Sequence, residues 1–260
     1  MIKIIKYDFI RKYKLLLVTI ICSVLINLLA VAKSGANGSF GFLIAFPMLI
    51  TLLYIGDIIK MYSDDLNKKS GYMLFMTSNS GYKIVVSKVI TAILEGISIL
   101  LIYLVFILIN SIYISYVQGF NIGINISEVV RAINQVLSGS LGFNLGHVFV
   151  FLAASLIFSI SFILTAYTAI TIRKSIFSEV KLGGFLSFLI FVALNWATSY
   201  ANGQSMSALS SYYDNIQIVG NMISATQLLI ALLPIMIISV VESILMTIGS
   251  GYLLEKKINL

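Results

Sequence analysis

Three carboxylic acids, Asp57, Glu95 and Glu242, fall within or at the edge of long apolar runs of this 260-residue chain. An ionisable group in hydrocarbon costs about 2.5–3.5 kcal/mol or more unless it is paired, so each needs a reason to be there. Such groups can take up a proton or cation, tie helices together, or line a polar pathway. Asp57 precedes Lys60 by one helical turn, which predicts an intrahelical ion pair at i, i+3. Glu95 lies seven residues beyond Lys88, about 10 Å along a helix, and Glu242 lies seven residues before Gly249. The two glutamates are therefore expected at similar depth. Interhelical hydrogen bonding, pairing with other groups and a place in a substrate pathway all remain open for them.

Other chemistries lack their residues. His147 is the single histidine and Cys22 the single cysteine, so a His- or Cys-based metal centre and an intrachain disulfide are excluded, and no cofactor is called for. There is no G-x-x-x-x-G-K-[ST] phosphate loop, no G-x-S-x-G elbow and no H-E-x-x-H pair. The chain is not expected to be an enzyme.

The elements that carry the acids are membrane spans. With 59% hydrophobic and 10% charged residues, a soluble fold of this length would lack polar surface. Runs near the 20 residues needed to cross a bilayer cover 15–32, 40–59, 89–117, 146–172, 182–200 and 227–249. This predicts one all-α transmembrane domain over residues 1–260, with six helices and both termini cytoplasmic. In that arrangement Lys33 and Arg131 are the only cations outside, and the other 15 of the 17 Lys and Arg residues lie inside. A multi-pass protein of a bacterial plasma membrane is the expected setting. The net charge of +7 is placed beside apolar runs, which suits anionic lipid and not nucleic acid.

Residues 1–14 carry Ile2, Ile5, Phe9 and Tyr13 at helical spacing among basic residues, and predict an interfacial helix. The same start, with Ala30-Val31-Ala32 after the first run, also has the layout of a signal peptide, but the run is long enough to span. Residues 118–145 and 201–225 are expected outside; in the former, Ser127 can cap a helix that closes at Gly139. Asn27, Asn110 and Asn195 are expected to hydrogen-bond between helices, Pro47 and Pro234 to kink theirs, and His147 to sit at the membrane interface.

The longest inner segment, residues 61–88, is predicted to hold a short helix capped by Ser63 and ended by Gly71. The apolar cluster Tyr72-Met73-Leu74-Phe75-Met76 follows, then the turn Thr77-Ser78-Asn79-Ser80-Gly81, with Lys83 and Lys88 re-entering the membrane. Such a cluster on a water-facing loop needs burial, in the lipid interface or on a partner. From Asp65 through Ile84 and on to Ser87-Lys88 the stretch resembles the link between spans two and three of ABC-2 type ABC transporter permeases. Many of those proteins have proline where this chain has Ser78.

The resemblance implies an exporter subunit that forms half of a translocation pathway. It would pair with a second permease chain, identical or related, and dock a separate ATP-binding cassette ATPase through Leu66, Tyr72, Met73, Leu74, Phe75 and Met76. ATP hydrolysis would then belong to the partner, and the substrate would be an antimicrobial peptide, a drug or another amphipathic compound. A secondary carrier using its intramembrane carboxylates, and a non-transporting scaffold or immunity protein, stay open as alternatives.

Overall fold

The computed structural model describes residues 2–67, 80–117, 134–135, 144–177, 183–210, 212 and 224–256. They form five long α-helices: α1 (Ile2–Asn67), α2 (Gly81–Val117), α3 (Leu145–Ile176), α4 (Gly183–Ala208) and α5 (Ala225–Lys256). Each is long and apolar enough to cross a membrane. The chain is thus all-α, and these candidate spans mark a multi-pass membrane protein.

Five helices replace the expected six because both of the first two apolar runs belong to α1. Its 66 residues are broken at Gly35 alone, where φ 55° and ψ −132° leave the helical region. Only glycine reaches that conformation without strain. The chain reverses there, and a Cβ on Gly38 would overlap the carbonyl group of Ala30. One glycine turns the chain and another lets the two arms, 2–34 and 36–67, touch.

Two compact units result: Met1–Lys68 with Val86–Asn125, and Lys69–Val85 with Ile126–Leu260. In the first, Phe42, Phe46 and Ile50 of α1 pack with Phe106 of α2, ring centroids lying 5.0 to 5.2 Å apart. Beside them Tyr103 donates to the Leu43 carbonyl at 3.1 Å, and Ser39 donates to Asn110 Oδ1 at 2.5 Å. Leu101, Leu104, Leu108 and Ile109 of α2 are left exposed, which water would penalise and lipid accepts.

In the second unit α3 packs along α5 and, less extensively, against α4. Residues 163–171 of α3 are buried without a gap. The threonine hydroxyls there bond inside their own helix: Thr165, Thr168 and Thr171 donate to Ser161, Leu164 and Tyr167 carbonyls at 2.7 to 2.8 Å. On α5, Ser243, Thr247 and Ser250 do the same. Small hydroxyl residues that bond backwards let helices approach without demanding a partner across the interface.

Several local expectations change. Residues 2–14 are helical and form the start of α1, which runs on unbroken to Gly35. Of residues 61–88, those up to Asn67 continue α1 and those from Gly81 belong to α2. Ser63 is therefore an interior helix residue and not a cap. Residues 201–208 prolong α4, and Pro47 and Pro234 lie inside α1 and α5. The helix expected over 127–139 lies, but for 134–135, outside the described residues.

Candidate functional site

Three helical segments of the first unit carry charges at intervals of four, seven or eight residues, which keep them on one face. The first arm of α1 supplies Asp8 and Lys12, the second Asp57 and Asp65, and α2 Lys88 and Glu95. Within the membrane-facing fold these groups meet each other. Lys88 Nζ lies 2.7 Å from both carboxylate oxygens of Asp8 and also contacts Asp65. Asp65 in turn accepts from Arg11 at 2.8 Å. Lys12 Nζ stands 2.6 Å from Asp57 Oδ2 and contacts Glu95 Oε2 directly.

Burial makes these pairs obligatory. Asp8, Lys88 and Glu95 are each 1% exposed and Lys12 is 4% exposed. Withdrawing such charges from water costs several kcal/mol per ion, roughly, unless geometry returns it. For Asp8, which precedes the apolar run at 15–32, burial raises the carboxyl pKa above its ordinary value, while the charge and hydrogen bonds of Lys88 oppose the rise.

Beside Lys12's partners lies a cavity of about 20 Å³ bordered by Asp57, Glu95, Thr19, Ser23 and Tyr54. Tyr54 donates to the Ala92 carbonyl at 2.8 Å, and Thr19 and Ser23 donate to carbonyls of their own helix. The hydroxyl oxygens remain free to accept, and the space suits one water.

The predicted acids are thus placed as follows. Asp57 is paired across the hairpin with Lys12, while its expected partner Lys60 is exposed. A tertiary cation displaces the local one because the buried arm-to-arm contact cannot be left unpaired. Glu95 joins the same cluster, whereas Glu242 belongs to the second unit, where Asn202 Nδ2 approaches it at 3.3 Å. Leu66 is buried at the end of α1. Tyr72, Met73, Leu74, Phe75 and Met76 lie outside the described residues.

Of the asparagines, Asn110 bonds to another helical segment as expected; Asn195 bonds to Phe191 of its own helix. The side-chain oxygen of Asn27 is buried without a hydrogen-bond partner. His147 is part of the α3 N-cap, exchanging bonds with Asn144.

Sequence reasoning missed Asp8, Lys12, Asp65 and Lys88 as members of one network. The available signal was their spacing: acid then base four apart, two acids eight apart, base then acid seven apart. No group of His, Cys, Asp and Glu suited to a metal occurs among the described residues. Comparison of the chain with family models, with characterised proteins and with solved structures returns no match.

Proposed function

We propose that this chain is the membrane-spanning subunit of an ATP-binding cassette exporter of the ABC-2 type. The two arms of α1 and the helices α2 to α5 would be its six crossings, with both termini on the cytoplasmic side of a bacterial plasma membrane. Two such chains would enclose the pathway, and a separate ATPase would supply the energy.

The observation that supports this reading best is how the flanks of the proposed coupling segment are fastened. Asp65, at the end of α1, is ion-paired to Lys88, near the start of α2, on either side of residues 68–79. Gly81, the first residue of α2, gives its N–H to Glu255 of α5 at 2.9 Å. A displacement of the connecting segment by a partner would therefore be carried into the ends of long helices and not absorbed as local bending. Rigid-body tilting of helices is how such a push can switch a cavity between two openings.

A secondary carrier built on Glu95 and Glu242 has less support, because the two acids sit in different units and Glu95 already holds a cation. The test is co-expression with an ATPase encoded beside this chain. Leu74→Asp with Phe75→Asp is expected to abolish co-purification and transport-coupled ATP hydrolysis. An intact, coupled complex would overturn the docking role. Transport by the chain alone, lost in Glu95→Gln, would favour the carrier.

A further inference from the structure

Among the described residues, the ion-pair network of the first unit holds four carboxyl groups, Asp8, Asp57, Asp65 and Glu95, against three cations, the buried Lys12 and Lys88 and the exposed Arg11. With all of them ionised it carries one surplus negative charge. That surplus has an address. Around Lys88 the account balances, since Asp8 and Asp65 face Lys88 and Arg11. Around Lys12 it does not: Asp57 and Glu95 converge on a single ammonium, each with an oxygen in direct contact with it.

Along the helices the balanced group is set apart from this pair. Asp8 is four residues from Lys12, Lys88 seven from Glu95 and Asp65 eight from Asp57, or about 6, 10 and 12 Å at 1.5 Å per residue. No cation lines the cavity that borders the two acids, among the described residues; its polar walls are Thr19, Ser23 and the committed phenol of Tyr54.

We propose that Asp57 and Glu95 form a membrane-buried proton-binding site, holding one proton between their two carboxyl groups while Lys12 neutralises the remaining charge. Two carboxylates gathered on one ammonium cannot both stay ionised cheaply at low dielectric, and a shared proton belongs to the pair. Taking up the proton forms one O–H bond and breaks none in the protein. Its loss leaves two anions competing for Lys12, and the three helical segments that Lys12 joins then lose their electrostatic balance. The cavity, with room for one water, is the route by which the proton enters and leaves. The site stands on unit-one geometry alone and does not depend on the exporter reading.

Infrared spectroscopy of the full chain in lipid nanodiscs, titrated with acid and base in potassium buffer, tests this. The carbonyl stretch of a protonated carboxylic acid is expected at neutral pH and should fade on alkalinisation. Glu95→Gln and Asp57→Asn should each lose the part of that band that titrates, since either leaves Lys12 with one carboxylate, whereas Glu242→Gln should keep it. Thermal unfolding of Glu95→Gln should show less destabilisation in alkali than wild type. A wild-type spectrum with no protonated carboxyl at neutral pH overturns the proposal without any variant. A band unchanged in both dyad variants does so too, as does a band displaced by sodium at constant pH, which would make a metal ion the ligand.

Discussion

The two units of this protein differ in how most of their buried polar groups are satisfied, although Glu242 links α5 to Asn202 of α4 in the second. In the first, charges on one helical segment pair with charges on another: Lys88 reaches Asp8 and Asp65, and Lys12 reaches Asp57 and Glu95. In the second, Thr165, Thr168 and Thr171 of α3 and Ser243 and Ser250 of α5 bond back along their own helices, and Thr168 also approaches a facing carbonyl, that of Met246 at 3.3 Å. A self-satisfied hydroxyl leaves a helix free to slide or be replaced at little cost. A buried charge specifies its neighbour, since the wrong partner is far worse than none. The first unit should therefore be sensitive to single polar substitutions and the second tolerant of them.

The strongest challenge to that contrast is Lys88→Met. It strands Asp8 and leaves Asp65 with Arg11 as its remaining ion-pair partner, and breaking a buried pair in this way typically costs about 3–5 kcal/mol, readable as a lowered unfolding midpoint in detergent. The loss also depends on pH. Burial raises the Asp8 carboxyl and Lys88 opposes that rise, so the variant's Asp8 takes its proton at higher pH than in wild type. The stability that protonation lends is present in acid and disappears as the pH climbs through the raised value. The defect should thus be widest in alkali and narrow in acid; a defect independent of pH would show that Lys88 acts by packing alone.

Gly38→Ala probes the hairpin that brings the charges together. Its Cβ would meet the Ala30 carbonyl, a backbone group that cannot turn aside, so the arms must separate. Overpacking of this kind costs about 1–3 kcal/mol. If the arms part enough to break the pairing of Lys12 with Asp57, the variant should also lose the distinction between acid and alkaline stability; a variant as stable as wild type would refute the close approach.

What the sequence made legible, and what it hid, follows the same division. Helices, their apolar cores and their membrane character could be read from run length, and α3 and α5 begin and end within a few residues of expectation, apart from α5's extension to Lys256. Their polar groups are local, so a local reading suffices. The first unit defeated it. Ile2, Ile5, Phe9 and Tyr13 mark the face expected on lipid, and Ile2 and Tyr13 are exposed, but the same stretch also buries Ile4, Asp8 and Lys12, which that pattern does not mark. Charges were assigned to the surface because burial of a charge is offset only by a partner, and the partners lie 23 to 83 residues away. The nearest candidate in sequence, Lys60 for Asp57, won on proximity and lost in three dimensions.

Ser39→Ala sits between the extremes. Ser39 gives its proton to Asn110 Oδ1 across the arm-to-α2 contact, and both residues are buried. Removing the donor leaves the amide oxygen unsatisfied, a loss of about 1–2 kcal/mol. Ser39→Thr, which retains a hydroxyl, should recover part of it.

Ser250→Ala should do least. Ser250 is fully buried on α5, but its hydroxyl donates to the Met246 carbonyl of the same helix at 2.6 Å. That carbonyl keeps its helical bond when the hydroxyl goes, so no unsatisfied group is created and only one atom's packing is lost. Side-chain hydrogen bonds within membrane proteins average about 0.6 kcal/mol, and the change should fall at or below this figure. An unfolding midpoint shifted as far as that of Ser39→Ala would mean the hydroxyl serves a second partner, and the tolerance assigned to the second unit would fail at its most buried serine.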